Sequence, residues 1–339
     1  MKLPPQLDFW HPVALSRDLG DKPVGVKLLG VEMVVFRTPS GVGVLHDVCP
    51  HRGMRLSEGW TDAGRLVCPY HGYSFDREGC GLSPGSPRRH LEMLRFDAVE
   101  RCGAIWVKRH GADAEMPPWT RRLDIDITLS AVIEAPLEVV LDNFTEVEHT
   151  PTTHAFLGYR KEDMPHVTCE LELTGDTVRV INVGPQKPLP SPLRKLLQIQ
   201  PNDRFVDDWT TWFTPPHAVY DHYWRDPATG DPRPDKLVTV VHINPIDDAT
   251  SHLFSFTTSV GPRSESVLWK LALKPITKFL VNVEVQRDKA ILEKLADTST
   301  SLRGRKLSRF DKPLAENRKR LDRLYWGRKT DVRRTASNS

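Results

Sequence analysis

Two thiols and two imidazoles stand in paired clusters near the N-terminus of this 339-residue chain. They read Cys49-Pro50-His51 and Cys68-Pro69-Tyr70-His71, with sixteen residues between the two groups. Such a donor set suits a metal, and two chemistries compete for it. Zinc takes tetrahedral sulfur and nitrogen ligands. A two-iron, two-sulfide cluster can instead take two cysteines on one iron and two histidines on the other. Zinc sites of this composition usually group like ligands, as in Cys-x-x-Cys followed later by paired histidines. Here each arm carries one of each, so each can send a thiolate to one iron and an imidazole to the other. The bland alternative is four unrelated surface residues.

The two arms resemble the Rieske family signature, down to Pro50, Arg52-Gly53, Pro69 and Gly72. The resemblance implies one [2Fe–2S] cluster held by Cys49, His51, Cys68 and His71. Met54 and Tyr70 occupy the places where Rieske proteins of respiratory complexes carry an extra, disulfide-forming pair of cysteines. The likeness is therefore to the lower-potential branch, the ferredoxins and oxygenases. The other thiols, Cys80, Cys102 and Cys169, show no ligand spacing and read as small semi-buried residues.

A second group of candidate ligands lies in Leu141–His154, which contains Glu146, His149 and His154. Histidines five apart point about 140° apart on a regular helix. They converge only if the helix ends between them, and Pro151 is suited to that. The segment resembles the non-haem iron motif of Rieske oxygenases, which implies that His149 and His154 are ligands of one mononuclear Fe(II). The third ligand of a two-His-one-carboxylate triad is expected on a late helix, at Asp288. Asp288 interrupts an apolar stripe of Val281, Val285, Leu292 and Leu295. A lone buried carboxylate is costly unless paired or bound to metal. Glu284 is the runner-up, and the bland reading is a helix-face acid paired with a nearby Lys or Arg. Family members usually carry Asp three residues before the first His, as a bridge between a Rieske His and an iron ligand. This chain has Glu146 there; Asp142 and Glu148 are the alternatives.

The elements that must hold these groups follow from pattern. Short Val- and Leu-rich runs at Val24–Leu29, Met33–Phe36, Val42–Leu45 and Ala104–Val107 alternate with turn signals and predict an all-β first domain. A linker is expected over Gly111–Trp119, with Pro117-Pro118. The domains are expected at 1–116 and 117–339. Beyond the linker come a strand (Leu129–Glu134), a helix from about Pro136 to His149, and strands at 167–173, 177–183, 205–213, 237–243 and 252–260. A long helix is expected over 264–296 with a break or kink at Pro275, and a loop or lid over 184–196. This is an α+β arrangement, an N-terminal all-β Rieske domain and then an antiparallel sheet with helices of helix-grip type.

Composition is that of an ordinary globular protein, 39% hydrophobic and 27% charged with a net charge of +3. No apolar run approaches a membrane span, and the N-terminus lacks a signal-peptide layout. Five cysteines, two of them committed to a cluster, do not suggest a disulfide framework. A cytoplasmic protein that binds neither nucleic acid nor membrane is expected. The basic, mixed-charge tail from Arg303 to Arg334 reads as a solvated helix and terminus, or as a docking surface for an acidic electron donor.

The resemblance runs from Trp10 to about Ala296. It implies the terminal oxygenase component of a Rieske system, taking electrons from a reductase or ferredoxin. O2 and a small organic substrate, aromatic, heterocyclic or amine, would meet at the iron, with hydroxylation or demethylation as the outcome. It further implies a homotrimer in which His71 of one subunit reaches Glu146 of the next. A cis-dihydroxylating ring dioxygenase is the nearest alternative. A Rieske electron carrier or redox sensor is the alternative of another class, and such a carrier needs only about a hundred residues. Trp209, Trp212, His217, Tyr220, His222, Tyr223 and Trp224 are candidates for a substrate pocket, one or two of them in contact with substrate.

Overall fold

A computed structural model describes residues 2–328 other than 87–90, 192, 193, 195, 196, 198, 263 and 265. The chain packs as two compact units, Met1–Ser130 with Asn244–Ala249, and Ala131–Ile243 with Thr250–Ser339. Among the described residues, no helix is long and apolar enough to cross a membrane.

The first unit is built from three small antiparallel sheets. Strands β1 (His11–Leu15), β10 (Phe96–Arg101) and β11 (Ala104–Arg109) form one, in the order β1-β11-β10. A second joins β2 (Val24–Leu28), β3 (Val31–Thr38) and β4 (Gly41–His46). The third runs in chain order through β5 (Trp60–Asp62), β6 (Arg65–Val67), β7 (Ser74–Phe75), β8 (Cys80–Leu82) and β9 (Leu91–Glu92); the second cluster arm joins β6 to β7, and the first joins β4 to β5.

The unbroken apolar run Met33–Phe36 has a physical reason. Side chains on a strand alternate between faces, and β3 is buried on both. Met33 and Val35 enter one core with Leu28, Val44, Ile105 and Val107. Val34 and Phe36 enter another with Leu45, Leu66, Phe75 and the cysteines Cys49 and Cys68. The hairpin tip Asn244–Ala249 belongs to this unit. Asn244 Oδ1 pairs with His11 Nδ1 at 3.0 Å, and Leu29 N–H donates to Pro245 O at 2.8 Å.

The second unit centres on a seven-stranded antiparallel sheet. Its strands are β12 (Ile127–Ile133), β13 (Thr168–Leu173), β14 (Thr177–Pro185), β15 (Arg204–Phe213), β16 (Pro216–Arg225), β17 (Lys236–Pro245) and β18 (Ser251–Val260), in the order β12-β18-β17-β16-β15-β14-β13. β16 is absent from the sequence-based strands, because Pro215-Pro216 at its start and its polar residues obscure the alternation. The unit's helices include α1 (Leu137–Asn143), α2 (Thr150–Thr153), α3 (Val267–Leu292) and α4 (Lys312–Arg320).

Three expectations need correction. The helix expected to reach His149 stops at Asn143, where the Thr145 hydroxyl donates back to Leu141 O at 2.7 Å and Tyr220 Oη donates to Phe144 O. Helix α3 stays helical on both sides of Pro275 and ends at Leu292, so Leu295 is exposed rather than part of the stripe. The expected lid is anchored where it leaves β14. Gln186 Nε2 donates to Phe156 O, and Lys187 Nζ donates to Thr150 O and His154 O. Residues 192, 193, 195 and 196 of that lid lie outside the described residues.

The basic tail is less free than its composition suggests. Arg309 donates to Met164 O and Val167 O, Arg320 to Thr174 O, and Arg323 to Gly175 O. Arg318 forms a two-pronged pair with Asp142, 2.6 and 3.0 Å long, with both side chains largely buried. Residues 329–334 of the tail lie outside the described residues.

Burial pushes the Asp142 carboxyl up, and Arg318 offsets part of that. Breaking a buried pair from one side typically costs about 3–5 kcal/mol, so Arg318→Met should destabilise the protein on that order in urea unfolding. A carboxyl whose folded-state pKa is raised binds more protons folded than unfolded, so its penalty grows as pH rises. The deficit of Arg318→Met should therefore shrink between pH 7 and pH 5; a deficit independent of pH would contradict this.

Candidate metal centres and their cavity

The two cluster arms have the same local construction. Cys49 N–H donates to Met54 O while Gly53 N–H donates to Cys49 O; Cys68 N–H donates to Tyr73 O while Gly72 N–H donates to Cys68 O. Gly53 and Gly72 close these turns at φ of +76° and +69°, a conformation that favours glycine. The outcome is a pair of buried sulfurs and a pair of exposed imidazoles. His51 Nδ1 and His71 Nδ1 lie 3.2 Å apart, and the His51 ring stacks on Tyr73 at 4.5 Å. Burial pushes the Cys49 thiol up, and the neighbouring Cys68 sulfur adds to this. His71 is held below its ordinary value, first by desolvation and then by the charges of His51 and Arg52. Two adjacent buried thiols beside two paired imidazoles fit a cluster with one all-sulfur and one all-nitrogen face.

In the second unit, the chain between α1 and α2 turns sharply around Glu146. Its Oε1 meets His149 Nδ1 at 2.5 Å, and its Oε2 accepts from the backbone N–H groups of Glu148 and His149. Pro151 sits in the first turn of α2, so it starts a short helix rather than ending a long one. His149 precedes this turn in helical geometry and His154 leaves it extended, which brings the two rings together. Their Nε2 atoms are 3.2 Å apart.

Asp288, 3% exposed on α3, completes the group. Its Oδ1 lies 3.2 Å from His154 Nε2 and 3.4 Å from His149 Nε2. One ligand atom from each of the three falls within 4.8 Å of the others. Burial works against a charged His149, but Glu146, then Asp288 and Asp207, outweigh it and raise the imidazole's pKa.

The rival carboxylates are employed elsewhere. Glu284 accepts the backbone N–H groups of Ala155 and Phe156 at 3.0 and 2.8 Å. Asp142 faces Arg318, and Glu148 is exposed. Glu284 thus braces the chain just after His154 from its N–H side, while Lys187 holds the His154 carbonyl. Losing such supporting partners typically costs 10–100-fold in metal affinity. Glu284→Ala is expected to weaken Fe(II) binding by about that factor, with iron restored at high Fe(II) and the Rieske spectrum untouched. An unchanged Fe(II) titration would leave Lys187 as sufficient bracing.

A cavity of about 100 Å³ opens beside this group. Trp209, Tyr220 and His222 line it; Trp224 lines a neighbouring cavity instead. Trp212 and His217 pair across β15 and β16 three residues from the Trp209–Tyr220 pair, an odd spacing that puts them on the opposite face of the sheet. Burial drops the pKa of His217 to about 4. Sequence reasoning missed Asp207, which also lines the cavity. Its alternation with Trp209 along β15 was the available signal.

Comparison with known proteins bears on what these groups belong to. The vanillate O-demethylase oxygenase C-terminal domain matches residues 133–325, and the Rieske [2Fe-2S] domain matches residues 9–91. The chain belongs to this family of Rieske oxygenases. A Rieske domain of this kind carries a [2Fe–2S] cluster, and the family's catalytic domain uses a mononuclear iron.

Methylxanthine N1-demethylase of Pseudomonas putida is 33% identical over 164 residues, 43% of this chain and 46% of that protein. The vanillate O-demethylase oxygenase subunit of a Pseudomonas species is 31% identical over 185 residues, 50% of each. The chain thus spans about half the length of these relatives. The crystal structure of dicamba monooxygenase bound to 3,6-dichlorosalicylic acid aligns over 96% of this chain and 98% of that one. Its TM-score is 0.76 at 19% identity, a likeness of fold.

Proposed function

We propose that this protein is the terminal oxygenase component of a Rieske electron-transfer system, which hydroxylates or demethylates a small organic substrate with O2. The observation that carries the reading is the convergence of His149, His154 and Asp288 on the wall of one cavity. In this reading Cys49, His51, Cys68 and His71 hold the cluster in a domain of residues 1–116, and residues 117–339 hold the mononuclear iron. An iron held there supplies O2 activation, and the cluster supplies single electrons from a reductase or ferredoxin.

The residues of the chain do the positioning. Glu146 accepts a hydrogen bond from His149 Nδ1–H, which fixes the tautomer and turns the Nε2 lone pair toward the ligand group. Asp288 supplies an anionic oxygen from a rigid helix. Glu284 and Lys187 hold the backbone that carries His154. The aromatic wall restrains a substrate beside them. In a homotrimer, Glu146 serves as the bridge from His71 of a neighbouring subunit to His149. A cytoplasmic location fits this dependence on a reductase.

The test is turnover with a surrogate reductase, NADH and O2 over a panel of N- and O-methylated small molecules. Substrate-dependent O2 uptake with formaldehyde release is expected. Formation of cis-diols would favour the ring dioxygenase. Reoxidation of the cluster that no substrate accelerates, on protein loaded with both iron centres, would overturn the oxygenase reading.

A further inference from the structure

The register of the sheet brings a second set of polar groups to the same cavity. Asn182, Asp207, His222 and Leu237 form one cross-strand row over β14–β17. Val180, Trp209, Tyr220 and Thr239 form the next row on the same face, because residues two apart on a strand share a side. Asp207, His222 and Leu237 of the first row line the cavity, and the two polar ones are under-used. Asp207 is 8% exposed, and its Oδ1 has no hydrogen-bond partner among the described residues. His222 Nε2 stands 3.0 Å from that oxygen without the alignment of a hydrogen bond. His222 Nδ1 and Trp209 Nε1 are also unpartnered among the described residues.

The charges of the wall are one-sided. Glu146, Asp207, Glu284 and Asp288 line the cavity, and among the described residues neither Lys nor Arg does. A divalent iron on His149, His154 and Asp288 would offset only two of these four negative charges. Glu146 is engaged with His149, Asp288 with both histidines, and Glu284 with backbone N–H groups. Asp207 has only the unaligned contact with His222, which leaves it the least engaged of the four, and a buried carboxylate favours a cation beside it. Trp209 and Tyr220, with ring centroids 5.8 Å apart, supply the aromatic surface that attracts alkylammonium groups.

We infer that Asp207 is a specificity residue for a cationic nitrogen, so that the substrate is a small protonated or methylated amine rather than a carboxylate. The inference rests on the reading of this cavity as the substrate site of an oxygenase.

Calorimetric titration of the anaerobic holoenzyme at neutral pH tests this with three probes of similar shape. N-methylpyrrolidine is a cation under these conditions, cyclopentanecarboxylate an anion and methylcyclopentane neutral. The cation should bind at least about tenfold tighter than the anion. Asp207→Asn should remove most of that preference and leave the neutral probe within about twofold. Equal or tighter binding of the carboxylate would overturn the inference, as would a cation affinity unaltered by Asp207→Asn. The wild-type comparison stands even if the variant does not fold. The oxygenase reading is judged separately, by substrate-stimulated O2 uptake. Cation preference without such uptake would keep this site and refute the oxygenase, and uptake driven by a carboxylate would do the reverse.

Discussion

Replacing Asp288 by alanine is expected to leave the Rieske absorption intact and remove one iron per chain, from about three to about two. The carboxylate has no Lys or Arg as an ion-pair partner among the described residues; its close contacts are the Nε2 atoms of His149 and His154. It sits on α3 between Val285 and Leu292, both buried, where an uncompensated charge is unfavourable. Two consequences follow from the same fact. Turnover should fall by more than the roughly 100-fold typical of losing a supporting partner, because a ligand itself is removed. The iron-free variant should also melt close to iron-free wild type, since the desolvation cost of the buried carboxylate and its pairing with the two histidines go together. Iron analysis with thermal melts checks both. A variant that kept its third iron would transfer the ligand role to Glu284.

Glu146→Gln should separate electron delivery from iron binding. The carboxylate accepts hydrogen bonds from His149 Nδ1–H through Oε1 and from two backbone N–H groups through Oε2. Glutamine keeps the volume but offers one acceptor oxygen, and its amide would face a donor. With iron made saturating in both proteins, substrate-dependent reoxidation of the reduced cluster should slow by about 10–100-fold or more. Glu146→Asp should recover part of the rate, being shorter but of the same charge. Stopped-flow absorbance of the cluster reads this directly. A Gln variant with the wild-type reoxidation rate would reduce Glu146 to a brace for the turn before α2.

The parts that were legible in the sequence are those whose chemistry is local. Cys49, His51, Cys68 and His71 announce themselves by spacing, and each arm closes on its own glycine. The run Met33–Phe36 was readable as a strand because burial on both faces leaves no polar position. Asp288 stood out as a charge in an apolar stripe, although the stripe itself ended one turn early. The parts that were not legible depend on distant partners. Helix α1 stops at Asn143 partly because Tyr220, 76 residues from Phe144, donates to its carbonyl. Pro151 could end a helix or begin one, and only the Glu146 turn decides between them. Strand β16 was hidden by Pro215-Pro216. The tip Asn244–Ala249 joins the first unit through His11 and Leu29, contacts for which its own residues give no signal. The arginines of the tail looked solvated and instead serve as struts onto carbonyls far away in sequence.

The central claim is that one chain carries two iron centres, a Rieske cluster and a mononuclear site opening on a cavity. Iron and acid-labile sulfide per chain, measured on anaerobically purified protein with EPR before and after dithionite, test it most directly. About three irons to two sulfides, with a Rieske signal appearing on reduction, is the expected result. Two irons to two sulfides, unchanged after reconstitution with Fe(II), would contradict it; the protein would then be an electron carrier in which His149, His154 and Asp288 hold no metal.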